Sequence, residues 1–477
     1  MPKSKNMRQE LLGKLPGMPA LMNHPEIKTL RENNPTLFVN DIVRQTLDIL
    51  RQRILATDNS DLAGITIDEE QLAEQALEIA LRALEPSVKP AINAAGVILH
   101  TALGRSVLPE TAQLAVANAI RGYCTLAINE ETGKRGDRHA HLDKLIAHVT
   151  GSEAGIIVNN NAAGTMLILN TLAFGKEVIV SRGQLVEIGG AFRIPEVMER
   201  SGCKLVEVGT TNRTHLRDYE NAITEETAAI LRVHTSNYRI IGFTGEVPLP
   251  ELAALGRKYN LPVIDDLGSG AIIDLSQYGL PKEPTVIESV NAGMDVICFS
   301  GDKMLGGPQG GILVGKREII DRVKKNPLTR ALRGDKMQYA ATEAVWKLYL
   351  EPEKLPQTHP VLRMVTEPAE SVKRRTQNFR RRISAAIGDR AVMSIEPDGT
   401  EMGSGSLPGK GIPTYVLRMV PNGRTADCIG GILRKGRPPV FIRIVEDALL
   451  FDLRTVAKAE EKVLAECVIK AFDRAFK

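Results

Sequence analysis

The chain has 477 residues, 43% of them hydrophobic, and a formal net charge of +4. This length exceeds one ordinary domain, the apolar share suffices for a real core, and so small a charge neither demands nor excludes a nucleic-acid partner. Five scattered cysteines (Cys124, Cys203, Cys298, Cys428 and Cys467), odd in number and with no CxxC pair, argue against a disulfide framework and a zinc site. His139 and His141 lie two apart with no nearby Cys or His to complete a ligand set, so no metal is expected. The opening stretch MPKSKNMRQELLGKLPG lacks an apolar signal core, and no apolar run is long enough to span a bilayer. The expected compartment is a reducing cytosol, with no membrane partner.

Residues 1 to about 87 read as helical. After Pro35, Leu37, Phe38, Ile42, Val43, Leu47, Leu50 and Ile54 recur at helical spacing, and Leu72, Ala76, Ala80 and Leu84 do so again. The stretch ATDNSDLAG (56–64) reads as a connector, dividing a helical domain over 1–60 from a helical linker over 61–87; Pro86 and Pro90 mark the next boundary. From 88 to 335 short apolar runs alternate with amphipathic stretches. The runs are Gly155–Val158, Glu177–Val180, Leu205–Val208, Ile230–Val233, Pro262–Ile264, Val296–Phe299 and Ile312–Val314. This alternation predicts an α/β domain, a mostly parallel sheet covered by helices, with ligands gathered beyond the carboxyl ends of the strands. Residues 336–477 open with a helix-like stretch holding Tyr339, Val345 and Trp346. They continue through a basic stretch (Lys373, Arg374, Arg375, Arg380, Arg381, Arg382), the Gly-rich GSGSLPGKG, and strand-like runs at Thr414–Met419 and Val440–Ile444. A smaller α/β domain fits them.

Three motifs follow these runs directly. In SGDKMLGGPQGG (300–311), Lys303 sits in a glycine-dense turn, where desolvation would make it a nucleophile for Schiff-base formation; the bland alternative is a surface loop. In LPVIDDLGSG (261–270), Asp265 and Asp266 end a strand, where a carboxylate could keep a pyridine nitrogen protonated, or else bind metal or cap a helix. In VNNNAAGTM (158–166), a polar turn opens an apolar helix, which makes an anion site of exposed N–H groups or simply a capped turn. It lacks the lysine of a nucleotide P-loop. A phosphate-cup candidate, an aspartate about a hundred residues on, and a lysine 37 residues after Asp266 (303 − 266) come in the order of fold-type-I pyridoxal-phosphate enzymes, which the chain resembles.

The resemblance sharpens over INAAGVILHTALGR (92–105), NNNAAGT (159–165), VSRGQLVEIGGAFRIPEVM (180–198), VGTTNRTH (208–215), VHTSNYRIIGFT (233–244), DLSQYGLPKEPT (274–285) and SGDKMLGGPQGG. These strings look like bacterial selenocysteine synthase, the L-seryl-tRNA(Sec) selenium transferase family. The resemblance implies that pyridoxal 5'-phosphate is bound by Lys303 as a Schiff base, with Asp266 at its ring nitrogen. It places Ala163, Gly164 and Thr165 nearest the phosphate, Ser300 as a further phosphate ligand, and Asp302 as an acid near the reacting centre. It also implies that Arg105, Arg330 and Arg333 line the site for the selenium donor selenophosphate, in accord with the fit of guanidinium forks to phosphate-like oxygens.

The implied reaction eliminates water from seryl-tRNA(Sec) and adds selenium. The implied partner surface is the N-terminal domain, which grips the tRNA, and the implied assembly is a homo-oligomer, a decamer built from dimers. The charge of residues 1–60, nine Lys or Arg against six acids, fits that grip and equally fits a solvated surface. The chain departs from the family at Ala102, where HTNLGR is usual, and in LAINEETGKRGDRHAH (126–141), whose Lys134, Arg135 and Arg138 either face RNA or substrate or, more simply, form a solvated loop. Two rivals remain: a related pyridoxal-phosphate ammonia lyase acting on a small amino-sugar acid, and an RNA-binding protein with an inactive site.

Overall fold

The computed structural model describes residues 2–189, 192–407, 409 and 411–477, with side chains from Met7 onward. Gly190 and Ala191 of the VSRGQ motif, Pro408 and Lys410 of the Gly-rich turn, and the side chains of Lys3 and Lys5 lie outside it. The chain forms two compact units, residues 1–90 and 91–477.

The first unit holds helices α1 (Pro2–Gly13), α2 (Met18–Met22), α3 (Pro25–Asn33), α4 (Thr36–Ala56) and α5 (Glu69–Leu84). The α4 stripe predicted after Pro35 buries Val39, Ile42, Val43, Leu47, Leu50 and Ile54, while Leu37 stays exposed. Asp68 caps α5 by accepting the Glu70 N–H at 3.1 Å. The helix stops just before Ser87's predecessor Pro86, whose ring disfavours helical backbone at Glu85. Leu62, Ile65, Leu72, Ala76 and Ala80 pack into the same apolar cluster as α2–α4. The stretch 61–87 is therefore part of one core with 1–60, not a linker standing apart, because its apolar stripe has no other surface to bury against within this unit.

In the second unit all seven apolar runs are strands of one sheet: β1 (Ala154–Val158), β2 (Glu177–Ser181), β3 (Lys204–Val208), β4 (Thr227–Val233), β5 (Val263–Gly268), β6 (Val296–Ser300) and β7 (Gly311–Gly315). Their order is β1-β7-β6-β5-β4-β2-β3, and β7 alone runs antiparallel to its neighbours. Strand alternation sends residues to two cores. Ile157, Ile230, Ile297 and Phe299 join one cluster; Ile156, Val158, Leu231, Ile264, Val296 and Cys298 join the other. Both faces are thus covered, as near-continuous apolar strands require. Helices α6 (Glu110–Ile120) and α7 (Ala140–Thr150) pack on the first side, and α8 (Asn161–Ala173) on the second.

The expected boundary at 335/336 falls inside the large core. Helix α9 (Lys336–Leu348) places Tyr339, Val345 and Trp346 in the first cluster, against α6 and α7. A four-stranded antiparallel sheet follows: β8 (Ala391–Thr400), β9 (Ile412–Pro421), β10 (Arg443–Val445) and β11 (Ala448–Asp452), in the order β8-β9-β11-β10. Its core includes α10 (Ala369–Ile387) and α11 (Glu461–Ala475), and also Ile92 and Ala94 from the start of the unit. The run Val440–Ile444 is broken at Ile442, and its first half pairs in parallel with Ile92–Asn93. Of the basic stretch on α10, Arg375 is internal, joined to Glu367 at 2.9 Å and Glu461 at 2.7 Å. No described helix is long and apolar enough to cross a membrane.

Candidate active site

Strands β4, β5 and β6 run parallel and end side by side; β1 runs the same way, so α8, which follows it, starts at that same edge. Here lies a cavity of about 380 Å³ whose lining includes Lys303, Ser300, Asp266, Asn161, His234 and Arg105.

Lys303 sits in the turn after β6, 6% exposed. The turn folds back on itself: Gly301 N–H donates to Gly310 O and Gly307 N–H to Gly301 O, both at 2.8 Å. A Cβ at Gly301 would meet the Pro308 carbonyl oxygen at 2.7 Å, so this close approach requires glycine. Burial holds the Lys303 ammonium below its ordinary range, and the Arg105 guanidinium adds to this; Asp266, Asp302 and Glu283 oppose it. The outcome is an amine more readily free to act as a nucleophile or base.

The two adjacent aspartates point to opposite faces of the sheet. Asp265, fully buried, accepts from Arg232 Nη1 at 2.9 Å and Ser289 Oγ at 2.6 Å, and is committed to that structural pairing. Asp266 faces the cavity, where a bulge at Leu267 interrupts the β5–β6 register. Asn161 Nδ2 donates to its Oδ1 and Thr165 Oγ1 to its Oδ2, each at 3.0 Å. Burial raises its pKa, against the pull of those two hydrogen bonds. A cationic partner in the cavity would offset that burial cost.

Asp302 accepts from Arg105 Nη1 at 2.8 Å. Arg105 has φ 62°, left-handed backbone that is costly for a side-chain-bearing residue, and the turn HTALGR thereby directs its guanidinium to Asp302. Ala102 is exposed on this turn.

Two groups of the expected site residues stand apart from the Lys303 cavity within this chain. Within NNNAAGT, Asn160, Asn161 and Ala162 line the cavity, whereas Ala163, Gly164 and Thr165 do not. Asn160 is the N-cap of α8 and takes the Ala163 N–H at 2.8 Å, which leaves the N–H groups before it at the open end. Thr165, one turn in, donates its hydroxyl to Asp266 Oδ2. Arg330 lies on the short helix Pro327–Ala331 and Arg333 just beyond its end. They line a separate cavity of about 430 Å³ together with Arg135, Arg138, Lys324 and Lys325. Arg135 and Arg138, read as a solvated loop, thus belong to this basic pocket, while Lys134 is exposed outside it. His139, in the same wall, is bonded through Nδ1 to the Tyr339 hydroxyl at 2.9 Å. His234, Ser236 and Gln309 also line the Lys303 cavity, and their sequence signal is position alone, just beyond β4 or within the glycine turn.

A buried lysine with its ammonium disfavoured, a carboxylate held at both oxygens and an open helix N-terminus suit the aldehyde, the ring nitrogen and the phosphate of pyridoxal 5'-phosphate. Fold and site together define a fold-type-I pyridoxal-phosphate enzyme. A solved structure, that of D-glucosaminate-6-phosphate ammonia-lyase, shares the fold with a TM-score of 0.57 at 21% identity, covering 84% of this chain and 99% of that one. The family model of L-seryl-tRNA selenium transferase matches residues 91–457. Curated relatives named L-seryl-tRNA(Sec) selenium transferase include one from Alkaliphilus oremlandii, 45% identical over 96% of this chain and 98% of its own. Another, from Nitratidesulfovibrio vulgaris, is 48% identical over 92% of this chain and 93% of its own. The chain belongs to the L-seryl-tRNA selenium transferase family.

Proposed function

We infer that this chain converts L-seryl-tRNA(Sec) to L-selenocysteinyl-tRNA(Sec), with selenophosphate as the selenium donor. The observation that carries the reading is Lys303, buried beside a twice-bonded Asp266, in a chain whose family relatives align along nearly its whole length. That span includes the helical N-terminal unit, which disfavours the small-molecule lyase, and the complete lysine–aspartate set disfavours an inactive RNA-binding protein.

Bound pyridoxal 5'-phosphate supplies an electron sink for negative charge at the seryl α-carbon. Lys303 would hold its aldehyde, Asp266 its protonated ring nitrogen, and Asn161, Ala162, Ser300 and Gln309 its phosphate. Lys303 Nζ takes the α-proton, a task its lowered ammonium pKa favours. The β-hydroxyl leaves as water, selenium joins the β-carbon, water takes the phosphoryl group as the donor's Se–P bond breaks to give inorganic phosphate, and the Lys303 ammonium returns the proton to the α-carbon. Asp302 is engaged with Arg105, and this ion pair fixes the guanidinium at the cavity rim. Arg330 and Arg333 hold the donor's oxygens. Their pocket is distinct from the Lys303 cavity of the same chain, which supports a homo-oligomeric centre in which the arginines of one copy serve the lysine of another; a decamer of dimers is the assembly proposed. The N-terminal unit, with Lys28, Arg31 and Arg53 exposed, grips the tRNA. The unpaired cysteines accord with a reducing cytosol.

The test is direct: supply seryl-tRNA(Sec) and selenophosphate and assay the esterified amino acid. Selenocysteine on the RNA is the expected product; a visible cofactor band without conversion would overturn the reading.

A further inference from the structure

A third cavity, about 360 Å³, lies along the same carboxyl edge, beyond β2, β3 and β4. Its size falls in the range of roughly 300–1,000 Å³ typical of small-ligand sites. His234 lines both this cavity and the one holding Lys303. Arg232 Nη2 stands 3.5 Å from His234 Nδ1, and a guanidinium only donates, so Nδ1 accepts and the imidazole proton lies on Nε2. Nε2 in turn stands 3.3 Å from Glu283 Oε1. His234, shared by the two cavities, thus belongs to a polar series, Asp265–Arg232–His234–Glu283, that ends in a carboxylate on the third cavity. Glu283 is 3% exposed and lines the third cavity; although His234 Nε2 stands 3.3 Å away, no donor among the described residues is aligned to make a hydrogen bond to its Oε1. A buried carboxylate left in that state is costly unless a ligand supplies a donor.

The inference rests on seryl-tRNA being the substrate. Only a few covalent bonds separate the seryl α-nitrogen from the ribose oxygen that carries the ester. When the amino group reaches Lys303, the ribose must lie at the rim of that cavity, and the nucleoside must occupy a space adjoining it. We propose that the third cavity binds the 3'-terminal nucleoside of the RNA, with Glu283 accepting a hydrogen bond from the ribose 2'-hydroxyl. Acidic side chains meet ribose hydroxyls in the same way in dinucleotide-binding folds. Tyr238, whose hydroxyl is tied to the Gly183 carbonyl, and Ile240 offer apolar surface to the base, while Arg213 and Arg239 in the lining suit the adjoining phosphate.

The experiment uses the cofactor-loaded enzyme and tRNA(Sec) ending in 3'-amino-3'-deoxyadenosine, charged with serine through a stable amide, with and without the 2'-hydroxyl. The wild type should bind the 2'-hydroxyl form about tenfold tighter, the expected worth of one hydrogen bond to a charged group. Glu283→Gln and Glu283→Ala should lose that preference while keeping the visible cofactor band. If the wild type binds both forms equally, or if the preference survives in both variants, the nucleoside assignment falls and the seryl-tRNA reading stands. If the wild type binds neither charged RNA, the seryl-tRNA reading itself falls.

Discussion

The Lys303 cavity and the arginine-lined cavity are similar in volume, about 380 and 430 Å³, but opposite in electrostatic design. In the first, charges are matched and all but the rim guanidinium are buried: Arg105 with Asp302, and Lys303 near Asp266. In the second, six cations (Arg135, Arg138, Lys324, Lys325, Arg330 and Arg333) share a lining whose acid is Asp137, with Lys324 alone of the six held in an ion pair among the described residues, to Asp143 at 3.1 Å. Matched, desolvated groups adjust one another's proton affinity, which is what bond-making requires. An excess of one sign in a more open pocket attracts and orients an anion without altering its protons. The comparison separates a place for chemistry from a place for capture.

That separation is broken most severely by mixing copies. Lys303→Ala alone should lose at least about 10³-fold in turnover, as loss of the nucleophile and base demands. Arg330→Ala/Arg333→Ala alone should lower kcat/KM for selenophosphate by about 100-fold, two charge-assisted hydrogen bonds' worth, with the cofactor band intact. Co-assembled, the two inactive chains should recover roughly a quarter of wild-type activity if each centre draws on two copies, since a mixed two-fold dimer then keeps one complete site. No recovery would mean that capture and chemistry share a chain.

A smaller effect sharpens the role of Asp266. Thr165→Val removes the hydroxyl on Oδ2 and preserves side-chain volume. The dissociation constant for pyridoxal 5'-phosphate, measured by equilibrium dialysis, should rise about tenfold with the folded far-ultraviolet spectrum unchanged. An unchanged constant would return Thr165 to a packing role.

The subtlest test is a pH profile. Cofactor capture needs the free amine, so its rate should rise with pH and level off below the ordinary lysine value of 10.5, because burial and Arg105 depress the Lys303 pKa. Arg105→Ala removes one depressing charge and frees Asp302, which raises the pKa, so both changes move the inflection upward. An inflection that stays put would show that Arg105 does not reach Lys303 electrostatically.

Much of this centre was legible in the residues. Seven apolar runs located seven strands, and the motifs beyond them located Lys303, Asp266 and the α8 turn, because strand length and period are local properties of the chain. Local reading went astray where a neighbour from far along the chain decided the outcome. Thr165 belongs to Asp266, 101 residues away, because one helical turn carries it from the open end of α8 to the sheet. Helix α9 joined the large core rather than the C-terminal domain because its apolar face met α6 and α7.

By itself, then, the sequence determined the order of elements, the class of sheet and the three motifs of the cofactor site, since each depends on spacing within a few turns or a single strand. Tertiary structure alone decided which aspartate faces the cavity, which residues of NNNAAGT meet it, and that Arg135 and Arg138 join Arg330 and Arg333. Those outcomes depend on which face a side chain leaves and what stands opposite, and both are set by packing between segments a hundred or more residues apart.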